Sequence, residues 1–207
     1  MTEMLYKAQR SDAERAALYG ELREAALKCQ RCDLCKTRKN VVVGEGDIAS
    51  RIMFVGEGPG EVEDNTGRPF VGPAGQLLTS ILEAAGFQRD KVYITNIVKC
   101  RPPRNRVPAI EEVICCQGWL EAQLALLRPQ IIVCLGNTPL KWFIHSTEGI
   151  TKMRGRWFNW RGAALMPMFH PSYLLRNESR TKSSPKYLTW QDIQQIHSRY
   201  ESLRRGS

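Results

Sequence analysis

Residues 56–75, GEGPGEVEDNTGRPFVGPAG, decide the fold that this sequence predicts. An apolar run at 52–55 precedes the stretch, and an amphipathic helix pattern at 77–85 follows it. This order predicts a loop between a buried strand and its helix, which is where an open α/β sheet binds its ligand. The glycines allow the backbone to approach a ligand closely. Neither a dinucleotide-binding GxGxxG motif nor a Walker loop is present, and a long acidic surface loop before a helix is the alternative interpretation.

Four apolar runs with helical patterns between them each predict a β-strand: 51–55, 91–99, 130–135 and 163–168. Strands that alternate with helices form a parallel sheet covered on both faces. We therefore predict an α/β fold with three α/β/α layers and a central four-stranded parallel sheet, in a single domain over residues 1–207. An N-terminal helix within residues 1–28 and a C-terminal helix at 187–203 are expected to close onto this body. A short strand at 41–43 and a hairpin at 155–162 complete the prediction.

The charge of the chain favours a polyanionic partner. Lys and Arg number 30 against 21 Asp and Glu, which gives a net charge of +9. No run of like charge is present, so the excess is expected on the folded surface, where it suits nucleic acid. A charge that serves only solubility is the alternative. The sequence has neither a signal peptide nor a long apolar stretch, so we expect an intracellular, cytoplasmic protein without membrane association.

Seven cysteines in a chain expected inside the cell favour a metal site or free thiols over disulfides. Cys29 and Cys32 form a C-x-x-C pair, which can hold one metal or cluster from a single turn. Cys100 and Cys116 can supply two further thiolates, from a strand end and from the following helix. The ligand set stays open because two other cysteines lie close by in sequence, Cys35 and Cys115. Burial as small apolar side chains is the alternative, and the spacing suits both tetrahedral zinc and a [4Fe–4S] cluster.

Polar and aromatic residues follow three of the four predicted strands. Glu57 and Phe70 lie in the loop after the first strand, Asn96 at the end of the second, and His170 after the fourth. Because the carboxyl ends of parallel strands meet at one edge of a sheet, we expect these side chains to line one pocket. The alternatives are structural: a core phenylalanine, an asparagine that caps backbone groups, and a histidine satisfied within the fold.

Four motifs in order resemble the iron–sulfur, family 4 uracil-DNA glycosylases: the paired cysteines, GEGPGEVEDNTGRPFVGPAG, TNIVKCRPPRNR and FHPSYLLR. The resemblance extends from about Cys29 to Arg176. It implies an α/β/α glycosylase fold with a [4Fe–4S] cluster on Cys29, Cys32, Cys100 and Cys116. It also implies a uracil pocket formed by Gly56, Glu57, Gly58, Phe70, Asn96 and His170. A related branch traps uracil covalently and has a histidine after the second strand, but residues 101–106 contain none, so trapping is not expected.

The resemblance implies a reaction, the hydrolysis of the N-glycosidic bond of deoxyuridine after the nucleotide is flipped out of DNA. Phe70 would stack on uracil, and the amide of Asn96 would match uracil O4 and N3–H. His170 would donate a hydrogen bond to O2 as uracil leaves, and Glu57 or Glu63 would orient the water. None of the implied pocket residues is a lysine, so a monofunctional DNA-repair enzyme is expected.

The remaining predicted contacts are with uracil-containing DNA. Tyr173 and Leu174 would enter the base stack, while the phosphates would be held by Ser172, Arg176, Arg104 and Arg106. We expect a monomer. The alternative function is a non-catalytic iron–sulfur module that binds DNA or senses redox state. Residues 180–186 exceed the family pattern and have no assigned role.

Overall fold

A single six-stranded sheet forms the centre of the computed structural model, which describes residues 11–177 and 179–205. The strands in chain order are β1 (Glu45–Gly46), β2 (Ile52–Gly56), β3 (Tyr93–Asn96), β4 (Ile131–Leu135), β5 (Phe158–Trp160) and β6 (Ala163–Met168). Their order in the sheet is β1-β3-β2-β4-β6-β5. The inner four strands are parallel, and the two edge strands are antiparallel to their neighbours.

The predicted α/β class and the four parallel strands are confirmed, but the sheet is wider than expected. β5 and β6 form the antiparallel pair near the predicted hairpin. The strand predicted at 41–43 is wrong, because those three valines are buried in an irregular segment just before β1. The strand predicted at 91–99 is also too long, since only Tyr93–Asn96 is regular and the chain then leaves the sheet.

Helices cover both faces of the sheet: α1 (Asp12–Leu27), α2 (Glu61–Thr66), α3 (Pro73–Ala84), α4 (Ile110–Leu127), α5 (Asn137–Ile144), α6 (Ile150–Met153), α7 (Pro171–Leu175) and α8 (Pro185–Arg205). Short 3₁₀ helices lie at Asp33–Lys36, Arg89–Lys91 and Pro103–Asn105. The capping box of Ser11 and Glu14 begins α1, so the earlier part of the predicted N-terminal helix lies outside the described residues. α8 is longer than the predicted 187–203. Among the described helices, none combines the length and the apolar character needed to cross a membrane.

Two hydrophobic clusters pack on opposite faces of the sheet and produce the predicted three layers. Val55 faces a cluster that includes Ala26 of α1 and Leu120 of α4. Its neighbour Phe54 faces the other cluster, with Leu78 of α3 and Ile193 of α8. Successive strand side chains point to opposite faces, so this alternation assigns one helical layer to each face. The single-domain assignment over residues 1–207 stays a prediction.

Strand register brings the predicted site residues together. Gly56 at the end of β2 pairs with Asn96 at the end of β3. The pairing continues past the strands, because the amides of Ile97 and Val98 donate to the carbonyl oxygens of Gly56 and Glu57 at 2.9 and 3.1 Å. The loops after β2, β3 and β6 therefore meet at the carboxyl edge of the sheet, where an open α/β fold binds its ligand.

Candidate active site

A cleft of about 590 Å³ opens at this carboxyl edge. It is lined by the loop after β2, the end of β3 and the segment after β6. Most of the predicted site residues lie on its wall: Glu57, Gly58, Glu63, Phe70, Asn96, Arg106, His170, Ser172 and Arg176. Gly56 lies behind the wall, and Arg104, Tyr173 and Leu174 are not part of it.

Gly56 brings Asn96 and Phe70 against the backbone. A Cβ atom at Gly56 would lie 2.4 Å from Asn96 Oδ1 and 2.5 Å from Phe70 Cζ. Both distances are too short for real contacts, so any larger residue would displace one of the two side chains. Glycine at position 56 is therefore required for the amide and the ring to lie side by side at the base of the cleft.

Asn96 carries an unsatisfied acceptor. The residue is 1% exposed, and its buried Oδ1 has no hydrogen-bond partner among the residues that the structure describes. Such a group loses about 1–3 kcal/mol relative to a paired one, so natural proteins rarely retain it without a purpose. In a cleft wall, an unpaired carbonyl oxygen is a ready partner for the N–H group of a ligand.

Phe70 is held in an unusual backbone conformation beside Asn96. Its φ angle is +51°, in the left-handed region that few non-glycine residues adopt, and its side chain is 6% exposed. The α3 residue Gly75 permits this conformation, because a Cβ there would lie 1.9 Å from the carbonyl carbon of Phe70. The Phe70 ring lies 5.7 Å from the His170 ring, centroid to centroid. The two rings thus border one side of the cleft.

Glu63 shapes the loop that carries Phe70. Its Oε1 accepts hydrogen bonds from the amides of Val71 and Gly72 at 2.9 and 2.7 Å. Its Oε2 accepts from the amide of Gly60 at 3.1 Å and so caps α2. Three backbone donors engage this carboxylate, which gives it a structural role; water orientation by Glu63 stays a prediction.

Glu57 lies where two clefts meet. It lines the main cleft and a neighbouring one of about 350 Å³ that also reaches His170 and Arg176. The hydroxyl group of Thr138, in the first turn of α5, donates to Glu57 Oε2. No motif in the sequence points to Thr138, which follows the end of β4. The structure places this hydroxyl so that it fixes the direction of the half-buried carboxylate.

His170 is a neutral hydrogen-bond donor. It precedes α7, and its Nδ1 accepts from the amide of Ser172 at 3.1 Å while lying 2.8 Å from the Ser172 hydroxyl. An Nδ1 that accepts leaves the proton of the neutral ring on Nε2. Burial, with a smaller contribution from Arg176, lowers the pKa of His170 from 6.5 to about 4, while Glu63 opposes the shift. The imidazole is therefore uncharged at neutral pH.

The residues expected to contact DNA include two on α7, Tyr173 and Leu174, and two arginines on the loop after β3, Arg104 and Arg106. Tyr173 is 38% exposed, whereas Leu174 is 1% exposed and packs inward, so the structure favours Tyr173 for the base stack and the entry of Leu174 stays a prediction. Leu175 is the exposed apolar residue on this helix, at 42%, and lines the main cleft. Arg104 is exposed on the loop after β3. Arg106 is also exposed, but its guanidinium pairs with Glu112 at 2.6 and 2.8 Å.

Five of the seven cysteines line one narrow cavity between α1, the end of β3 and α4: Cys29, Cys32, Cys100, Cys115 and Cys116. Cys35 is not on its wall, and Cys134 is buried in β4. N–H groups approach three of the sulfur atoms: Trp119 Nε1 to Cys29 at 3.4 Å, Arg38 Nη1 to Cys100 at 3.1 Å and the Lys99 amide to Cys116 at 3.3 Å. Convergent thiols with N–H donors form a donor set suited to a thiolate-bound metal group. Within the described ranges, no three His, Cys, Asp or Glu side chains are arranged to hold a metal ion.

Lys99 lies between the cysteine cavity and the end of β3. Its side chain is 1% exposed, and Nζ donates to Thr95 Oγ1, the Asn96 carbonyl oxygen and Gln123 Oε1, each at 2.7 Å. Burial lowers the pKa of Lys99 to about 7, against the opposing influence of Cys116 and Cys100. The ammonium is thus turned into the core, away from the main cleft.

Comparisons with known proteins agree with this geometry. The Uracil DNA glycosylase superfamily matches residues 43–194. A type-4 uracil-DNA glycosylase of Thermotoga maritima is 54% identical over 158 residues, which cover 75% of this chain and 82% of that protein. Those of Sulfurisphaera tokodaii and Saccharolobus solfataricus are 42% and 44% identical, over 78% and 72% of this chain and 78% and 74% of their own lengths. The chain therefore belongs to the uracil-DNA glycosylase superfamily and, within it, to the type-4 uracil-DNA glycosylases.

Proposed function

We propose that this protein removes uracil from DNA by hydrolysing the N-glycosidic bond of deoxyuridine, which leaves an abasic site. Membership of the type-4 family supports the reaction class. The observation that carries the proposal is the unpaired Oδ1 of Asn96, buried in the wall of the cleft that also holds His170. Uracil supplies the missing partner, because its N3–H is a donor.

Uracil is recognised through its edge and its face. The Phe70 ring provides a stacking surface, while Asn96 Oδ1 accepts from N3–H and the amide NH₂ group is directed toward O4. Cytosine has a bare acceptor at N3 and an amino group at position 4, so both contacts become repulsive. Each unmet buried group costs about 1–3 kcal/mol, and two of them suffice for a discrimination on the order of 10³.

The departing base is stabilised by His170. As the bond breaks, negative charge develops on uracil O2, and Nε2–H of the neutral imidazole donates to it. A neutral donor performs this role without transferring its proton. Removal of one such donor typically slows a reaction by about 10²–10³-fold. No lysine lines the main cleft in the described part of the chain, which supports a monofunctional enzyme that forms no Schiff base.

Glu57 orients the attacking water in this mechanism. Its carboxylate lies on the cleft wall, and Thr138 fixes one of its oxygen atoms. Gly58, the next residue, has no side chain that could orient a water, so another position of the chain must do so. Because three backbone amides already engage Glu63, Glu57 is the better-placed of the two carboxylates.

The proposed cofactor is a [4Fe–4S] cluster held by Cys29, Cys32, Cys100 and Cys116. The shared cavity and the N–H donors around its sulfur atoms support this assignment. A [4Fe–4S] cluster would bind one thiolate at each of its four irons, whereas a tetrahedral zinc ion would bind all four thiolates at one atom. When bound, it would cross-link α1, the end of β3 and α4, and it would take no part in bond cleavage.

Iron analysis tests the cofactor. The purified protein should carry about four iron and four sulfide per chain, as the proposed cluster requires. Cys116→Ala should lower both contents and the melting temperature, while the matched variant Cys35→Ala, outside the cavity, should retain them. Stoichiometric zinc in place of iron would refute the cluster.

DNA is held across the mouth of the cleft. Arg104 and Arg176 are exposed and would contact phosphates together with Ser172 and Arg106, while Tyr173 would enter the stack of bases. The salt bridge to Glu112 offsets part of the charge of Arg106, so its contribution should be the smaller. A monomeric enzyme is part of the proposal, and light scattering of the purified protein tests it.

The decisive assay uses an oligonucleotide with one uracil, single-stranded or paired, followed by alkali to cleave abasic sites. Wild-type protein should produce one cleaved product, and Asn96→Ala and His170→Ala should each reduce its rate by about 10²-fold or more. Binding of the oligonucleotide without any abasic product would contradict the proposal and favour a non-catalytic iron–sulfur module.

A further inference from the structure

The conformation of Phe70 raises the question of what holds its loop in place. A φ angle of +51° is unfavourable for phenylalanine, so neighbouring contacts must stabilise it. On the side that follows Phe70, the amides of Val71 and Gly72 donate to Glu63. These bonds fix one half of the loop, and the residue that precedes Phe70 must be fixed by another group.

Arg89 supplies the second contact. Its Nη2 donates to the carbonyl oxygen of Pro69 at 2.7 Å, directly before Phe70. Its Nη1 donates to the hydroxyl oxygen of Thr79 at 3.0 Å, and that hydroxyl donates to the carbonyl oxygen of Gly75 at 3.1 Å. One guanidinium thus joins the Phe70 loop to α3, at the glycine that the Phe70 backbone touches.

The surroundings of Arg89 exclude a DNA contact as its main role. It is half-buried and faces a separate cleft of about 640 Å³ rather than the main one. That cleft also contains three acidic residues, Glu45, Glu83 and Asp90. Arg68 also lines this cleft and pairs with Glu45 at 2.7 Å, so charge alone does not decide the role of Arg89. Two N–H groups of Arg89 are already engaged by Pro69 and Thr79, so this arginine is not placed to bind the DNA backbone.

We propose that Arg89 is a positioning residue for uracil recognition, which holds the Pro69 carbonyl and thereby fixes the Phe70 ring as the stacking surface. The inference rests on the proposed function. The role needs arginine, because two N–H groups of one rigid fork reach two acceptors in different directions. A lysine keeps the charge and loses that geometry.

The test compares Arg89→Met and Arg89→Lys with Lys91→Met, an exposed residue on the same 3₁₀ helix. The measurements are the inhibition constant of free uracil, the single-turnover rate and the salt dependence of DNA binding. Both Arg89 variants should bind free uracil about tenfold more weakly, a part of the stacking energy of one base. DNA binding and its salt slope should stay as in wild type, as should every measurement on Lys91→Met.

Combination with Phe70→Leu separates positioning from a general structural role. In the Phe70→Leu background, Arg89→Met should weaken uracil binding no further, because the surface it positions is gone. Equal losses in both backgrounds, or a smaller salt slope in either Arg89 variant, would overturn the proposal. If Arg89→Met does not fold, the same comparison is made with Arg89→Lys. If Phe70→Leu alone leaves uracil binding unchanged, the stacking part of the proposed function fails instead.

Discussion

The protonation of His170 predicts how the stability of the protein depends on pH. The pKa of its side chain is about 4 in the folded protein against 6.5 for an ordinary histidine. Between these two values the unfolded chain binds a proton that the folded protein does not bind. The contribution of His170 to stability is therefore complete above pH 6.5 and is lost as the pH falls toward 4.

The expected size of the effect follows from the same values. At pH 5.0 the gap below 6.5 is 1.5 units, and each unit corresponds to about 1.4 kcal/mol, so His170 should destabilise the fold by about 2 kcal/mol relative to pH 7.5. Urea unfolding of wild type and His170→Gln at both pH values measures it. The wild type should lose about 2 kcal/mol more than the variant between pH 7.5 and 5.0, since glutamine does not titrate.

Two further measurements sharpen the test. Arg176 lowers the pKa of His170, so the Arg176→Ala variant should lose less stability than wild type as the pH approaches 4. The single-turnover rate should not fall between pH 7.5 and 5.0 through protonation of His170. Identical acid destabilisation of wild type and His170→Gln would refute the neutral, buried imidazole and with it the proposed donor to uracil O2.

Three other predictions concern recognition, water and DNA. Asn96→Asp should lose most uracil excision and gain weak cytosine excision, whereas Asn96→Ala should lose the first without the second; near wild-type activity of Asn96→Ala on a single-uracil oligonucleotide would remove it from the recognition site. Thr138→Val should slow the single-turnover rate about tenfold, whereas Thr138→Ser should keep the wild-type rate, and neither substitution should change the rate of Glu57→Gln. Additive losses in the double variant would show that Thr138 does not act through Glu57. Arg104→Ala should weaken the binding of uracil-containing and of undamaged DNA equally, and it should lower the salt slope of binding by about one unit. Binding titrations at several salt concentrations measure both, and a changed preference for uracil would contradict a phosphate contact.

The fold was predictable to the extent that hydrophobic runs determine it. Each of the four inner strands is a run that is buried on both faces, and this pattern is visible in the sequence. The edge strand Glu45–Gly46 has two residues and pairs through its backbone alone, so no side-chain pattern marks it. The valines at 41–43 have the opposite property, since they are apolar enough for a strand but pack without joining the sheet.

The candidate site was predictable at the level of residue type. Asn96 and His170 follow strands whose ends must share one edge, which a topological argument can find. The sequence does not predict which side of the five-residue helix α7 faces the core. Pro171 and Leu174 face it, and so Leu175 rather than Leu174 reaches the cleft. The sequence does not show where so short a helix begins. Contacts between distant segments, such as Thr138 with Glu57, depend on the finished packing and have no local pattern.

The buried side chain of Lys99 can report how often the core around it opens. Amine-reactive reagents modify only an amine that they can reach, and Lys99 is 1% exposed, whereas 72% of the Lys36 side chain is exposed. Acylation of Lys99 must therefore wait until the core beside the cysteines opens, while Lys36 reacts in the native state. The ratio of the two rates, followed by mass spectrometry in one sample, gives the free energy of that opening. A single buried lysine thus makes the local opening of the core beside the cysteines measurable.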